Sequence, residues 1–244
     1  MKIIIVIPAR YKSSRLPGKP LIKLNGKPMI QWVLELCSKA IDKEHIYVAT
    51  DDNRIFNFVT SIGYKSVMTS ENCLTGTDRL AEVAKKINSD IYINVQGDEP
   101  IINPEDIKKI INAKIKYPND VINGYTKIEI SENPESVNIP KVIFTKEQQL
   151  VYISRKTLPG FKNDKNQPKE YFKQVCIYAF NREELNLFGS YKKKSILEES
   201  EDIEILRFFE FNKKIRLVQA EPGSLAVDTL ADIEKVEKAL KEMK

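Results

Sequence analysis

Two textures of apolar and polar positions alternate along the first half of the chain. Ile3-Ile4-Ile5-Val6-Ile7 is a continuous apolar run, the reading of a strand covered on both faces of a parallel sheet. Residues 29 to 41 then place apolar side chains at 29, 30, 33, 34, 37, 40 and 41, a helical spacing with one wide buried stripe in which Trp32 is a packing residue. The blocks repeat. "IYVATDD" predicts a second buried strand ending in two acids, "RIFNFVTSIG" a short helix closed by Gly63, and "SVMTS" a third strand. "TGTDRLAEVAKKI" opens a helix with Thr and Asp in its first turn, "IYINVQGDEP" is another apolar run that ends in acids, and "EDIKKIINAKIKY" is a further helix. Strand, loop and helix in alternation predict βαβ units, right-handed crossovers and an α/β fold with a mostly parallel central sheet.

From about residue 119 to 182 the texture changes. "VINGYTKI", "PKVIFTKEQQLVYISR" and "FKQVCIYAFN" are longer strands with polar interruptions, which predict an antiparallel extension or β-arm able to meet another subunit. "KNDKNQPKE", 162 to 170, reads as a mobile loop. The chain closes with one acidic-then-apolar helix, "SILEESEDIEILRFFEF", a strand "KIRLVQAEPG", and a helix "DTLADIEKVEKALKEM" capped by Asp228 or Thr229.

Length and charge narrow the classes. The 244 residues fit a single domain, and 30% charged residues with a net charge of only +5 and no long basic block argue against a nucleic-acid binder. Lys192-Lys193-Lys194 reads as a solvated helix end. No apolar segment has the length of a membrane span and the first residues lack a signal-peptide layout, so the expected location is cytoplasmic. Cys37, Cys73 and Cys176 form no CxxC pair, and His45, the one histidine, sits in a turn ahead of a strand. That argues against a Cys/His zinc site and against Ser-His-Asp hydrolysis.

The candidate chemistry is concentrated where strands end. "IPARYKSSRLPGKPL" follows the first apolar run, at the edge where open α/β sheets bind ligands. Pro8, Pro17 and Pro20 restrict its backbone and Gly18 lets it turn, while Arg10, Arg15 and Lys19 supply donors for phosphate oxygens. A polyphosphate is the expected ligand. Its counterpart is "QGDEP", where Asp98 and Glu99 leave a buried strand and Asp98 reads as a ligand for a cation between phosphates. Asp228, also after a strand, reads equally as a metal ligand or as an ordinary N-cap.

These segments, with "NGKPMI", "VATDD", "VYISRKTLP", "IYAF" and "VDT", occur in an order that resembles the 3-deoxy-manno-octulosonate cytidylyltransferase (CMP-KDO synthetase) family from residue 3 to about residue 240. The resemblance implies a Rossmann-like nucleotidyltransferase fold in one domain over 1–244. It also implies a homodimer, and transfer of CMP from CTP to the anomeric hydroxyl of a sugar acid, with pyrophosphate released, for lipopolysaccharide or capsule synthesis. By position, Arg10 and Lys19 would grip the triphosphate, with Ala9, Ser14 and Arg15 on the same loop. Thr75, Gly76, Thr77 and Arg79 would line the nucleotide and sugar pocket, bordered by Gln96. Gln174, Tyr178 and Glu204 would lie on the sugar side, Arg155 would help recognise the acid, and Asp98 and Asp228 would hold Mg²⁺. Attack on the α-phosphorus is then in line, without a covalent enzyme intermediate. It is driven by positioning and by charge compensation from Mg²⁺, Lys19 and Arg10, and a second ion on the two aspartates would acidify the attacking hydroxyl.

Two segments depart from the family pattern. Gln174, Cys176 and Ala179 stand where the family shows a histidine, then a glycine, and the last residue of Ile-Tyr-Gly; its Glu-Gln-Leu-Arg is here Glu204-Ile205-Leu206-Arg207. Loss of a possible positive charge at 174 and of hydrogen-bonding groups at 205 bears on which acid fits. The acceptors considered are KDO, its 8-amino form, another ulosonic acid or a capsule-specific acid, with Arg155 and Lys173 indicating a carboxylate. Rival readings are a nucleotidyltransferase acting on a phosphorylated acceptor and a non-catalytic nucleotide-binding regulator, against which Lys19, Asp98 and Asp228 together argue.

Overall fold

A computed structural model describes residues 1–12, 16–223, 225–227 and 229–242. The first apolar run is β1 (Ile3–Ala9), covered on both faces as its pattern requires. A small hairpin, β2 (Lys23–Leu24) and β3 (Lys27–Pro28), leads into α1 (Met29–Cys37). The alternation then continues through β4 (Ile46–Thr50), α2 (Asn53–Ser61), β5 (Lys65–Met68), α3 (Gly76–Lys86), β6 (Ile91–Val95) and α4 (Pro104–Lys116). β1 pairs in parallel with β4 on one side and β6 on the other, and β5 extends the sheet beyond β4.

The second half supplies β7 (Val121–Lys127), the hairpin β8 (Lys141–Phe144) and β9 (Leu150–Ser154), and the long strand β10 (Phe172–Phe180). β10 enters between β6 and β7, antiparallel to both, and β8 joins it at one position, so the expected antiparallel arm is a branch of the main sheet. After α5 (Arg182–Ser190) and α6 (Ile196–Glu201), β11 (Ile215–Gln219) adds parallel to β7, and α7 (Leu230–Glu242) ends the chain. The main path is β11-β7-β10-β6-β1-β4-β5. One core lies on the α1, α2 and α4 face and a second under α3, α5 and the 3₁₀ segment Glu204–Phe211. A third small cluster joins Leu24, Met29 and Trp32 to Val227, Val236 and Leu240.

The elements differ from the sequence reading in three places, the first being that "PKVIFTKEQQLVYISR" is the hairpin β8–β9 rather than one long strand, with Gln148 left-handed (φ 63°) in the turn between them. α1 stops at Cys37, where Ser38 N–H donates to Leu34 O and a turn follows; Ala40 and Ile41 still pack on the core, which is why the helical pattern runs past the helix. "SILEESEDIEILRFFEF" is two elements, because Asp202 takes a left-handed conformation (φ 50°) that ends α6 before the 3₁₀ segment begins. The 162–170 loop is exposed and holds one 3₁₀ turn, Asp164–Asn166. Thr229 donates its N–H and hydroxyl to Asp232 Oδ2 just ahead of α7, while Asp228 lies outside the described residues. No helix among the described residues is long and apolar enough to cross a membrane.

Candidate active site

β1 and β6 are parallel neighbours, so the loops that follow Ala9 and Val95 open at the same edge of the sheet. They can approach because residue 97 has no side chain: a Cβ on Gly97 would lie 3.0 Å from the Pro8 carbonyl oxygen. Between them opens a cleft of about 340 Å³. On its first wall Gly18 turns the basic loop at φ 70°, its N–H donating to Tyr11 O at 2.9 Å, and delivers Lys19. Lys19 Nζ donates to Asp98 Oδ2 at 2.6 Å and to Val227 O at 2.8 Å, while Val227 N–H returns to Asp98 O at 2.9 Å. The loops after β1 and β6 and the segment before α7 therefore meet at one ammonium. Ala9 and Arg10 complete this wall, with Arg10 exposed.

The second wall is the start of α3. Thr75 accepts from Asp78 N–H and Asp78 Oδ2 accepts from Thr75 N–H, a reciprocal cap that fixes Gly76 against the cleft. The N–H groups of Thr77 and Asp78 at this end are taken by Glu204 and Thr75, and the positive end of the helix dipole favours an anion. Arg79, almost fully buried, reaches the lining but spends donors on Thr69 Oγ1 at 2.5 Å and Asp51 Oδ2 at 3.3 Å.

The third wall carries neutral polar side chains and the Glu204 carboxylate. Glu204 accepts from Gln96 Nε2 at 3.2 Å through one oxygen and from Thr77 N–H at 2.9 Å through the other. Burial raises its pKa, and the Thr77 N–H opposes the rise. Tyr178 and Gln174 come from β10, where a bulge between Val175 and Tyr178 breaks the pairing with β7. Asn123 fills the bulge: its Nδ2 donates to the carbonyls of Val175 at 2.9 Å and Ile177 at 3.2 Å. Its Oδ1 is thereby left to accept from Gln174 Nε2 at 3.0 Å, and that nitrogen also donates to the Tyr178 hydroxyl at 3.3 Å. Tyr178 OH is thus an acceptor toward Gln174, and its own proton is directed elsewhere. Burial raises the Tyr178 pKa well above its ordinary value, so the phenol keeps that proton.

A cytidylyltransferase family model matches residues 4–215. The chain belongs to the cytidylyltransferase family. A 3-deoxy-manno-octulosonate cytidylyltransferase of Geotalea daltonii is 40% identical over 253 residues, covering 99% of each chain. An 8-amino-3,8-dideoxy-manno-octulosonate cytidylyltransferase of Shewanella oneidensis is 37% identical, covering 98% of this chain and 99% of its own. In structure, a CMP:2-keto-3-deoxy-manno-octonic acid synthetase solved in complex with CTP superimposes with a TM-score of 0.92 at 38% identity over the whole of both chains. The fold is therefore that of a nucleotidyltransferase, as the motifs led one to expect.

Within this cytidylyltransferase the cleft gathers Ala9, Arg10, Lys19 and Asp98, then Thr75, Gly76 and Arg79, then Gln96, Arg155, Gln174, Tyr178 and Glu204. Ser14, Arg15 and Asp228 lie outside the described residues. Thr77 is buried behind the wall and contributes through its N–H to Glu204. Ile205 is a correction: it sits in the apolar core under α3 rather than in the cleft, where its neighbours Ile203 and Glu204 lie. Lys173 also falls outside the lining, paired with Glu132. Arg155 reaches the cleft with its Nε, Nη1 and Nη2 directed at the carbonyls of Glu201, Val137 and Asp202, so it ties β9 to the turn after α6.

Lys194, Asp202 and Glu198 line the cleft without having been singled out from the sequence for it. The signal was present in Ser195-x-x-Glu198, a capping-box spacing directly after Lys194 that marks an ordered helix start. Cys73 and Cys176 also border the cleft as protonated thiols, Cys73 pushed up to about 12 by burial.

Proposed function

We propose that this cytidylyltransferase transfers CMP from CTP to the anomeric hydroxyl of a sugar acid of the KDO class, using Mg²⁺ and releasing pyrophosphate. One observation carries the reading: the cleft that holds the Lys19–Asp98 pair, 2.6 Å apart, also holds the Gln96–Glu204 pair, 3.2 Å apart. A phosphate-binding charge and an amide–carboxylate reader of hydroxyls thus share one space. Arg10 and Lys19 orient the triphosphate, Lys19 passing its ammonium from Asp98 to a phosphate oxygen. Gln96, Glu204 and Tyr178 hold the sugar so that its anomeric oxygen faces the α-phosphorus.

Asp98 suits Mg²⁺ as a carboxylate oxygen donor beside the phosphate-binding lysine. Among the described residues no group of three or more His, Cys, Asp or Glu could hold a metal by itself. Such a site uses one or two carboxylates with substrate phosphates completing the shell, which is the usual manner of Mg²⁺. When bound, the ion would neutralise charge developing on the phosphates and the departing pyrophosphate. The relatives named for KDO and for its 8-amino form stand at 40% and 37% identity, close enough that both acids belong to the reading. A second copy of the chain is its proposed partner, meeting it along the β8–β9 arm.

The deciding experiment is pyrophosphate release with CTP, Mg²⁺ and a panel of KDO, 8-amino-KDO, a sialic acid and hexuronic acids. Turnover with KDO or its 8-amino form is expected. Absence of turnover with every ulosonic acid, or a CDP-linked product from a phosphorylated acceptor, would overturn the reading.

A further inference from the structure

We propose that Lys194 binds the carboxylate of the acid acceptor, with Asp202 holding its ammonium in place until the acid arrives; this rests on the acceptor reading above. Lys194 is the last of three successive lysines after α5, and Lys192 and Lys193 are exposed as a solvated run would be. Lys194 differs because it lines the cleft, its side chain 29% exposed against 75% for Asp202, whose carboxylate lies 2.7 Å from it.

The next residue fixes its direction. Ser195 is buried and caps α6 reciprocally with Glu198, each accepting from the other's N–H. Glu198 accepts from Arg207 Nε and Nη2, both at 2.6 Å, and Arg207 Nη1 reaches Asp78 Oδ1 at 2.7 Å. Asp78 is the residue that caps α3 on the nucleotide side. The backbone beside Lys194 is thus tied through a buried chain to the other wall of the same cleft, which gives its ammonium a defined place.

Charge identifies what it holds. Lys194 first, then Arg155 and Arg10, hold the Asp202 carboxyl below its ordinary range. Over the whole lining, five cations (Arg10, Lys19, Arg79, Arg155 and Lys194) face four carboxylates (Asp98, Glu198, Asp202 and Glu204), so the cleft is net positive by one and matched to an anion. Arg155 has committed three of its donors to carbonyls, whereas the Lys194 partner is a solvent-exposed carboxylate, and such pairs are weakly held. An ammonium with three donors on a flexible stem can share itself between Asp202 and a carboxylate presented by a sugar ring.

The test compares the sugar acid with its carboxamide as acceptors, in steady-state kinetics of the wild type, Lys194→Met, Lys194→Arg and Asp202→Asn. Lys194→Met should raise the acceptor KM at least tenfold, leave the CTP KM within twofold and abolish the preference for acid over amide. Lys194→Arg should restore most of that preference, and Asp202→Asn should retain it. Unchanged acid-over-amide preference in Lys194→Met, or an equal rise in the KM of CTP, would overturn the assignment while leaving the acceptor class intact. A wild type that turns over no sugar acid would instead bring down the acceptor reading, and this assignment with it.

Discussion

Glu204 is a carboxylate whose position weighs against the fold and serves the cleft. Burial raises its pKa above the ordinary 4.5 despite the hydrogen bond from Thr77 N–H. A carboxyl with a raised folded-state pKa contributes stability that is fully present below the unfolded value and is lost as pH rises through the folded one. At neutral pH Glu204 therefore opposes folding, which together with its proposed role in holding substrate hydroxyls would be a trade of stability for function. Glu204→Gln is expected to melt above the wild type at neutral pH, with the difference vanishing below about pH 4, where both side chains are neutral. Its kcat/KM for the sugar acid should fall by roughly tenfold to a hundredfold, since hydrogen bonds to a charged group are worth about 1.5–3 kcal/mol. Gln96 can turn its amide to suit the new side chain, so the fold should not suffer. Melting curves across pH, paired with kinetics, check both halves, and a lower neutral-pH melting temperature would make Glu204 a structural residue instead.

At the scale of elements, the bulge in β10 shows what a strand pattern conveys and what it conceals. The apolar runs and helical spacings made β1, β4, β6 and the helices between them legible, because each is buried on a face that its periodicity reports. "FKQVCIYAFN" likewise announced a strand, but no periodicity reports that Asn123, on the neighbouring β7, caps two carbonyls left open by the bulge. That is why Gln174 was legible as a cleft residue while the side chain that orients it was not. The break at Asp202 was hidden for a similar reason: a left-handed residue between two helical stretches leaves the hydrophobic spacing of both unaltered. Ile205 was misplaced because a motif gives positions in sequence, whereas the 3₁₀ turn decides which of two neighbours faces the cleft. Asn123→Leu is expected to leave the Val175 and Ile177 carbonyls unpaired at a cost of about 1–3 kcal/mol. It should also raise the acceptor KM more than the CTP KM, because Gln174 and Tyr178 lose their orientation. In a Tyr178→Phe background the KM effect should shrink while the stability loss remains; equal effects in both backgrounds would separate Asn123 from the cleft.

At the scale of the whole molecule, the antiparallel arm ends in an edge strand, as the main path does at β5 and β11. β9 is paired with β8 except at Val151, where the register shifts, and beyond it the described residues supply an isolated bridge from Gln149 to Arg216. Val151, in the middle of β9, is 54% exposed, an apolar β-branched residue on an edge strand that natural proteins otherwise shorten, charge or cover. The arm is also held firmly rather than left to move. Glu201 accepts from Ser154 Oγ at 2.7 Å and from Arg155 N–H at 2.8 Å, joining the end of β9 to α6 beside the cleft. A second copy packed on this edge would therefore bear on the turn that carries Asp202, so assembly and acceptor binding should be coupled. Sedimentation of the wild type is expected to give twice the monomer mass, and Val151→Glu to shift it toward monomer while circular dichroism stays unchanged. The acceptor KM should rise in that variant while the CTP KM, set by the loops after β1 and β6, stays near the wild-type value. A wild type that sediments as a monomer at micromolar concentration would remove the second copy from the arm, and a Val151→Glu dimer of full activity would move the interface elsewhere.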